Sequence, residues 1–222
     1  GIQSDAKDFK FGVREFTYTT EPSDDVDQNG YQNNKNLTIY CNGTRIVCRG
    51  GNWGTEDINL DVSDEQYDAR MRLHHDANMN MIRNWGGNTN DPAFYEACDK
   101  YGILVWDDYM FPGCWLHHPT DEDMFLQNAA DKVKFYRSHP SIVLYCGGNE
   151  MYPETQKMAD GLVEISENLD GTRYYVPNSA KAPVVNHGPY SAKGPKFYFN
   201  NTGVVLQSER GLPNIPTVES MK

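Results

Sequence analysis

Two glutamates stand at positions where a carboxylate could take part in catalysis. Glu150 ends the segment Gly147-Gly148-Asn149-Glu150 directly after an apolar run, and Glu209 follows another apolar run in Ser208-Glu209-Arg210-Gly211. Glycines beside a carboxylate allow the backbone or a ligand to come close. Two carboxyl groups about 5–5.5 Å apart can cleave a glycosidic bond with retention, one as nucleophile and the other as acid/base. The alternative interpretation is that both are solvated loop carboxylates.

The elements that would position these glutamates are short apolar strands. Near-continuous apolar runs separated by helical patterns are typical of strands in a parallel sheet that is covered on both faces. We predict seven such strands, over Ile46–Gly50, Met79–Trp85, Ile103–Asp107, Ile142–Cys146, Tyr174–Val176, Val184–Asn186 and Val204–Gln207. Before them, Phe9–Tyr18 alternates like a strand, and a hairpin is predicted over Asn42-Gly43.

Capping signals predict the helices between the strands. Ser63 with Gln66 forms a capping box that opens a helix to about Asp76. Asp91-Pro92 supplies an N-cap and a first-turn proline for a helix that Gly102 ends. Thr120 is predicted to open a third helix, and the spacing of apolar residues over 158–169 predicts a fourth.

Polar and aromatic residues follow the ends of many of these strands. They are Asn52, Trp53, Trp85, Asp107, Asp108, Asn149, Glu150 and Glu209. In a β/α barrel the carboxyl ends of all strands form one active-site rim, whereas a doubly wound sheet concentrates its site at one switch point. We therefore predict an α/β fold, a (β/α)8 TIM barrel, in which the fourth and seventh strands bring Glu150 and Glu209 face to face across the mouth. Only 15 residues follow Gln207, so we expect the barrel to be truncated after strand seven.

Composition narrows the classes of partner. The 222 residues carry 20 basic and 31 acidic side chains, a net charge of −11, which argues against a nucleic-acid or anionic-membrane partner. No run approaches the roughly 20 apolar residues of a membrane-spanning helix, so no membrane insertion is expected. The five cysteines include no C-x-x-C pair and are interpreted as mostly buried thiols, with a Cys41–Cys48 bridge left open. Adjacent histidine pairs lack the spacing of a helical metal site, and no metal is predicted.

Several of these motifs resemble glycoside hydrolase family 2. Gly147-Gly148-Asn149-Glu150, preceded by residues 137–145, resembles the family's acid/base signature, and Ser208-Glu209-Arg210-Gly211 resembles its nucleophile motif. Further similar segments are Asn80–Arg83, Phe94–Trp106 and Phe11–Glu15. The resemblance is collinear over nearly the whole chain. It implies a catalytic TIM barrel over residues 41–222, with residues 1–40 as a linker, a hairpin and the end of a preceding β-sandwich domain.

The resemblance also implies roles for individual residues. Glu150 would be the general acid/base, Glu209 the nucleophile, and Arg83 the group that orients the nucleophile. Asn149 could bond a sugar 2-hydroxyl. Asp108 and Tyr190 lie in family-like segments and are further expected contacts with a carbohydrate substrate. Trp53 and Trp85 are expected contacts because they follow strand ends beside glycine, with core packing as the alternative, and His187 is either a sugar contact or a capping group. Such a site needs no metal and no organic cofactor, and the expected partners are the carbohydrate and the β-sandwich domains.

Two branches of the family compete for the specificity of the site. The segments Asn84-Trp85-Gly86-Gly87 and Asp107–Phe111 resemble β-mannosidases, whereas Asn186–Tyr190 and Pro195–Tyr198 resemble exo-β-glucosaminidases. The resemblance implies a retaining exo-β-glycosidase that cleaves β-mannosides by double displacement, with an exo-β-glucosaminidase as the alternative. A hypothesis from another class is an inactive carbohydrate-binding fragment of a larger enzyme. A carboxylate hydrolase of another barrel family is a third option, which the pairing of Asn149-Glu150 with Ser208-Glu209 disfavours.

Overall fold

The computed structural model describes most of the chain. The described residues are 4–8, 10–22, 35–54, 61–111, 118–184, 188, 190–191, 194–196, 206–211 and 218–219. They form two sheets and four α-helices. A three-stranded antiparallel sheet contains β1 (Phe16–Glu21), β2 (Asn36–Cys41) and β3 (Thr44–Arg45).

The second sheet is parallel and carries the helices. Its five strands lie side by side in chain order and are β4 (Gly50–Trp53), β5 (Met81–Asn84), β6 (Leu104–Asp108), β7 (Ile142–Cys146) and β8 (Tyr174–Val176). The helices that connect them are α1 (Asp64–Asp76), α2 (Pro92–Tyr101), α3 (Glu122–Tyr136) and α4 (Gln156–Leu169). A doubly wound sheet reverses its strand order at a switch point, and this sheet does not. The order confirms the predicted TIM-barrel class.

The helix signals read from the sequence are confirmed with two adjustments. The Ser63 hydroxyl accepts from the Gln66 amide, and the Gln66 side chain accepts from the Ser63 amide at 2.9 Å. Gly102 ends α2 with a left-handed φ of 68°. Asp91 occupies the N-cap position of α2, but its carboxylate accepts from the Tyr67 hydroxyl instead of capping the helix. Helix α3 is capped by Asp121 and not by Thr120, because the Asp121 side chain accepts from the Met124 amide.

The first strand of the parallel sheet differs from its prediction. Residues 46–49 form no strand, since the Ile46 amide is used to close the hairpin onto Ile39. The strand is Gly50–Trp53, which pairs in parallel with Met81–Asn84. A Cβ on Gly50 would lie 1.7 Å from the Met81 carbonyl oxygen, so only glycine allows this close approach. The strand was missed because glycine and asparagine are poor strand formers.

Other strand predictions have mixed outcomes. β7 and β8 have the predicted bounds, whereas β1 begins at Phe16 and the described residues before it are not in a strand. The strand predicted over Val184–Asn186 lies mostly outside the described residues, as does the first half of Val204–Gln207, where Gln207 forms a single bridge. The cysteines that the structure describes are free thiols, so Cys41 and Cys48 are not joined.

The antiparallel sheet packs on the inner face of the parallel sheet and contacts it near the start of β7. Its turn has positive φ at Asn42 (49°) and Gly43 (75°), as in the predicted hairpin. The Leu37 amide donates to the Pro183 carbonyl, and the Tyr18 hydroxyl donates to the Val143 carbonyl at the start of β7. The predicted domain boundary at residue 40 lies inside β2, and the division into two domains stays a prediction.

The buried residues form two layers, one on each face of the parallel sheet. The inner cluster joins the barrel interior to the antiparallel sheet and contains Phe16, Leu37, Ile39, Met81, Trp106, Val143, Leu144, Cys146, Val176, Val184 and Leu206. The outer cluster fills the space between strands and helices. In the part of the chain that the structure describes, no helix combines the length and apolarity that crossing a membrane requires.

Candidate active site

Arg83 lies at the centre of the polar group at the carboxyl end of the barrel. Side chains alternate along β5, so Met81 joins the inner layer, Ile82 the outer one, and Arg83 the inner one again. Arg83 is opposite Trp106 in the register of β5 and β6, and its guanidinium lies over the Trp106 ring at 5.3 Å. Although charged, the residue is only 3% exposed. A buried guanidinium needs acidic partners, and it has them.

Three elements supply the partners of Arg83. Its Nε and Nη2 donate to the two carboxylate oxygens of Asp108 on β6, at 3.2 and 2.7 Å. Nη2 also donates to the side-chain oxygen of Asn149 at 2.7 Å. Nη1 donates to Oε1 of Glu209, again at 2.7 Å. The guanidinium therefore joins the ends of β5, β6 and β7 to the segment that carries Glu209.

Asp108 is the buried partner that holds the Arg83 guanidinium in place. It is fully buried, and besides Arg83 its carboxylate accepts from the Trp106 indole at 2.8 Å and from the Gly86 amide at 2.9 Å. Burial lowers the pKa of Arg83, but the attraction of Asp108 and Glu209 outweighs it, and the net shift of the Arg83 pKa is upward. The guanidinium thus stays charged at any working pH.

The two predicted glutamates meet at the Tyr190 hydroxyl. This hydroxyl lies 2.7 Å from Oε2 of Glu209 and 3.4 Å from Oε1 of Glu150. Since both distances end on one oxygen, the two carboxylate oxygens are at most about 6 Å apart. Burial, followed by the hydrogen bond and charge of Glu209, raises the pKa of Tyr190. The phenol therefore stays protonated and donates.

The backbone around Glu150 is tightly constrained. Glu150 has φ 60°, in the left-handed region that non-glycine residues rarely adopt, and its amide donates to the Ser179 hydroxyl at 2.9 Å. A Cβ on Gly148 would lie 2.6 Å from the Met151 carbonyl oxygen, so that position requires glycine. The Asn149 amide is fixed by the Phe111 carbonyl. These contacts aim Asn149 at Arg83 and Glu150 at Tyr190.

The remaining predicted contacts fall in different places. Trp85 is half-buried in the 3-10 turn Trp85–Gly87, two residues after Arg83 and one before Gly86, whose amide binds Asp108. Tyr190 is exposed at the mouth, between the two carboxylates. The carboxylate oxygens of Asp108 accept hydrogen bonds from Arg83, Trp106 and Gly86, and the expected contact of Asp108 with sugar hydroxyls stays a prediction. His187 lies outside the described residues.

Trp53 is placed differently from the expectation. It is 7% exposed and belongs to the outer layer, where its indole donates to the Thr89 hydroxyl and its ring packs near Tyr67 and Phe94. Its register partner is Asn84, the neighbour of Arg83 that faces the helices. Trp53 therefore packs on the face of the sheet opposite the carboxylates.

Sequence reasoning missed two residues of this site. Ser179 holds the Glu150 amide, and it follows the end of β8 by three residues, so the strand-end rule could have singled it out. Trp106 holds Asp108 through its indole, and no sequence signal separates that role from core packing. Within the described residues there is no group of three or more His, Cys, Asp or Glu side chains able to hold a metal ion.

Comparison with a model of the glycosyl hydrolases family 2 TIM barrel domain gives a match over residues 33–187. This match spans more than half of the chain, and the parallel sheet in chain order and the polar carboxyl end agree with it. The chain belongs to glycoside hydrolase family 2, and its parallel sheet is part of that family's TIM barrel.

The chain is similar to curated mannosidases and to solved structures of the same fold. A mannosylglycoprotein endo-β-mannosidase of Lilium longiflorum is 32% identical over 72% of this chain, and a β-mannosidase B of Thermothelomyces thermophilus is 42% identical over 58% of it. The chain spans 21% and 15% of those proteins, so it corresponds to about a fifth of their length or less. A β-D-mannosidase from Dictyoglomus thermophilum superimposes with a TM-score of 0.72 at 26% identity, over 95% of this chain and 28% of that one. An exo-chitosanase from Amycolatopsis orientalis gives 0.75 at 18% identity, over 95% and 26% of the two chains, which shows the fold alone.

Proposed function

We propose that the protein containing this chain hydrolyses β-mannosides with retention of configuration. Glu209 acts as the nucleophile and Glu150 as the acid/base. The observation that carries the proposal is the shared contact of both carboxylates with the Tyr190 hydroxyl, which keeps one oxygen of Glu150 within about 6 Å of one oxygen of Glu209, close enough for both groups to act on one glycosidic bond. Inverting glycosidases need about 6.5–9.5 Å between the carboxyl groups to admit a water molecule, and retaining ones about 5–5.5 Å.

The proposed reaction has two steps. In the first, a Glu209 oxygen attacks the anomeric carbon while the glycosidic C–O bond breaks and Glu150 gives its proton to the leaving oxygen. In the second, Glu150 takes a proton from water, the water oxygen attacks the anomeric carbon, and the bond to Glu209 breaks. Arg83 and Tyr190 each donate to a different oxygen of Glu209. They hold the carboxylate for attack and stabilise the charge that returns to it in the second step.

The mannoside preference rests on the relatives. The curated relatives named above are described as mannosidases and match at 32% and 42% identity, whereas the exo-chitosanase matches at 18%. Trp85, two residues after Arg83, is half-buried and supports a sugar substrate in general, because an indole offers a surface on which a sugar ring can stack.

The experiment uses the complete gene product. It is assayed on nitrophenyl β-mannoside, β-glucosaminide, β-galactoside and β-glucoside, with the anomer of the first product followed by NMR. We expect turnover of the mannoside with retention. Labelling with 2-deoxy-2-fluoro-β-mannosyl fluoride, which traps the covalent intermediate, is expected to place the sugar on the peptide that contains Glu209.

A matched pair of variants tests the roles. Glu209→Gln is expected to lower kcat by about 10⁴-fold, as removal of a nucleophile does, whereas Glu154→Gln changes an exposed carboxylate four residues after Glu150 and leaves kcat unchanged. Inversion, or a label on a peptide without Glu209, would overturn the mechanism. Turnover of the glucosaminide alone would favour the alternative substrate. Turnover by the complete product but not by residues 1–222 alone, with the sugar still bound to them, would support the binding-fragment hypothesis.

A further inference from the structure

A second buried ion pair lies on the other face of the strands that hold Arg83 and Asp108. Lys132 extends from α3 into the outer layer, and its Nζ lies 2.7 Å from an oxygen of Asp107, the residue before Asp108 on β6. The side chains of Lys132 and Asp107 are 4% and 0% exposed. Because side chains alternate along a strand, the two ion pairs stand back to back across the sheet.

The outer pair also ties β5 to β6. The Asp107 oxygen that binds Lys132 accepts from the side-chain Nδ2 of Asn84 at 2.9 Å, and its other oxygen accepts from the Tyr95 hydroxyl at 3.1 Å. Asn84 in turn bonds Thr89 in both directions, at 2.8 and 3.1 Å. These reciprocal bonds close the loop 84–89, which carries Trp85 and the Gly86 amide that binds Asp108.

Lys132 reaches the site more directly through a backbone atom. Its Nζ donates to the carbonyl oxygen of Asp108 at 2.8 Å, so one residue is held from both faces. On the inner face, the Asp108 carboxylate forms a salt bridge with Arg83, and Arg83 forms a second one with Glu209. A Cβ on Gly87 would lie 2.7 Å from the same carbonyl, so the loop packs closely against that atom.

Stability alone does not account for a lysine at this position. The other buried residues of α3 are Phe125, Ala129, Val133 and Tyr136, all of them able to pack in an apolar or aromatic layer. A buried ion pair is often no more stable than apolar residues of the same volume, because both charges lose their hydration. The lysine adds a directional contact that an apolar residue cannot make, because its ammonium donates to the Asp108 carbonyl and fixes the position of that backbone.

We propose that Lys132 is a positioning residue for the glycosidase reaction: through Asp107 and the Asp108 carbonyl it holds Arg83, and thereby Glu209, in line for attack. The proposal rests on the proposed function of Glu209. A misplacement of about 1 Å at a reacting group can cost on the order of a hundredfold in rate, so a residue outside the barrel can matter for kcat without touching substrate.

The test compares four variants of the complete gene product on nitrophenyl β-mannoside. Lys132→Met removes the ammonium, and Lys134→Met changes an exposed lysine of the same helix. Val133→Ala weakens the same buried layer without touching the network. The double variant Lys132→Met with Asp107→Asn removes both charges, so that no buried charge is left unpaired. Each is measured for kcat, KM and unfolding temperature.

We expect Lys132→Met to lower kcat by about 30- to 100-fold with KM changed by less than about threefold, and Lys134→Met to behave as wild type. Val133→Ala is expected to lower the unfolding temperature and leave kcat within about twofold. The double variant is expected to regain much of the unfolding temperature that Lys132→Met loses, while kcat stays low. A kcat for Lys132→Met no lower than that of Val133→Ala would overturn the proposal, as would recovery of kcat together with stability in the double variant.

Failure of the proposed function can be distinguished from failure of the positioning role, because the first is measured as turnover by wild type and the second as a change of geometry. If wild type does not turn over the mannoside, the proposal is decided by a crystal structure of the Lys132→Met variant. Separation of Arg83 Nη1 from Glu209 Oε1 well beyond their present 2.7 Å supports positioning, and an unchanged contact overturns it.

Discussion

The two ends of the barrel are filled with opposite kinds of side chain. At the carboxyl end, Arg83, Asp108 and Glu209 bring three charges into a largely buried group. At the amino end, the antiparallel sheet inserts Leu37 and Ile39, which are 0% and 2% exposed. Apolar burial stabilises a fold directly. In a buried ion pair the attraction between the charges only roughly offsets the cost of desolvating them, so such a pair indicates a role other than stability. The contrast predicts that substitutions at the two ends change different measured quantities.

The largest effect is expected at Arg83. Arg83→Met leaves the Asp108 carboxylate buried without its cation, which costs about 3–5 kcal/mol of unfolding free energy, and it releases Glu209, so kcat falls by at least about 10²-fold. Arg83→Lys keeps the charge but cannot reach three partners, and we expect an intermediate kcat. Calorimetry and initial rates on nitrophenyl β-mannoside measure the two losses. Full activity in Arg83→Met would contradict the view that the buried charges at the carboxyl end serve catalysis.

At the amino end, Leu37→Ala is expected to act on stability alone. It removes a fully buried side chain from the inner layer, and such truncations cost about 2–5 kcal/mol. At a temperature where the variant is folded, kcat should equal that of wild type. Val47→Ala, at a residue that is 69% exposed, serves as the control and should change neither quantity. A large drop in kcat for folded Leu37→Ala would show that the two ends are coupled.

Tyr190→Phe sharpens the description of the carboxyl end. The substitution keeps the ring and removes the hydroxyl that donates to Glu209 at 2.7 Å. Because the residue is half exposed, we expect a loss in kcat of about tenfold, near the lower limit for a hydrogen bond to a charged group, with little change in unfolding temperature. Tyr152→Phe, a tyrosine of similar exposure, is the matched control. Equal rates for the two variants would leave Tyr190 without a role in the reaction.

The smallest effect concerns pH at the amino end. Burial raises the pKa of Tyr18 from 10.0 to about 12, since ionisation would place a charge between the antiparallel sheet and the barrel. Its contribution to stability is therefore complete below pH 10 and is lost as pH rises from 10 through 12. Tyr18→Phe loses the bond to the Val143 carbonyl, about 0.5–1.5 kcal/mol, and should lack this part of the alkaline decline. Parallel alkaline unfolding curves for the two proteins would contradict the assignment.

How far the sequence predicts the fold depends on how local each signal is. β7 and β8 are continuous runs of apolar and aromatic residues, and their bounds were predicted correctly. β4 has no such run, and its place depends on the close approach of Gly50 to Met81, which no local pattern encodes.

The candidate site was predictable in part for the same reason. Strand ends singled out Glu150 and Glu209, but the contact of Tyr190 with both depends on how separate loops fold. The face of Trp53 was not predictable, because it depends on the register of β4, in which Trp53 stands opposite Asn84 and not Arg83. Lys132 lies seven residues after Phe125 on the apolar face of α3, so a buried lysine could have been noticed there, though not its partners.

The left-handed backbone at Glu150 has a consequence for engineering this protein. A non-glycine residue at φ 60° costs about 1 kcal/mol or more, a cost that glycine avoids and asparagine reduces. Selection for heat resistance alone would therefore favour replacing Glu150, the residue to which we assign proton transfer. A screen for thermostable variants of this protein needs an activity measurement at every round, because at this position the more stable chain is expected to be the inactive one.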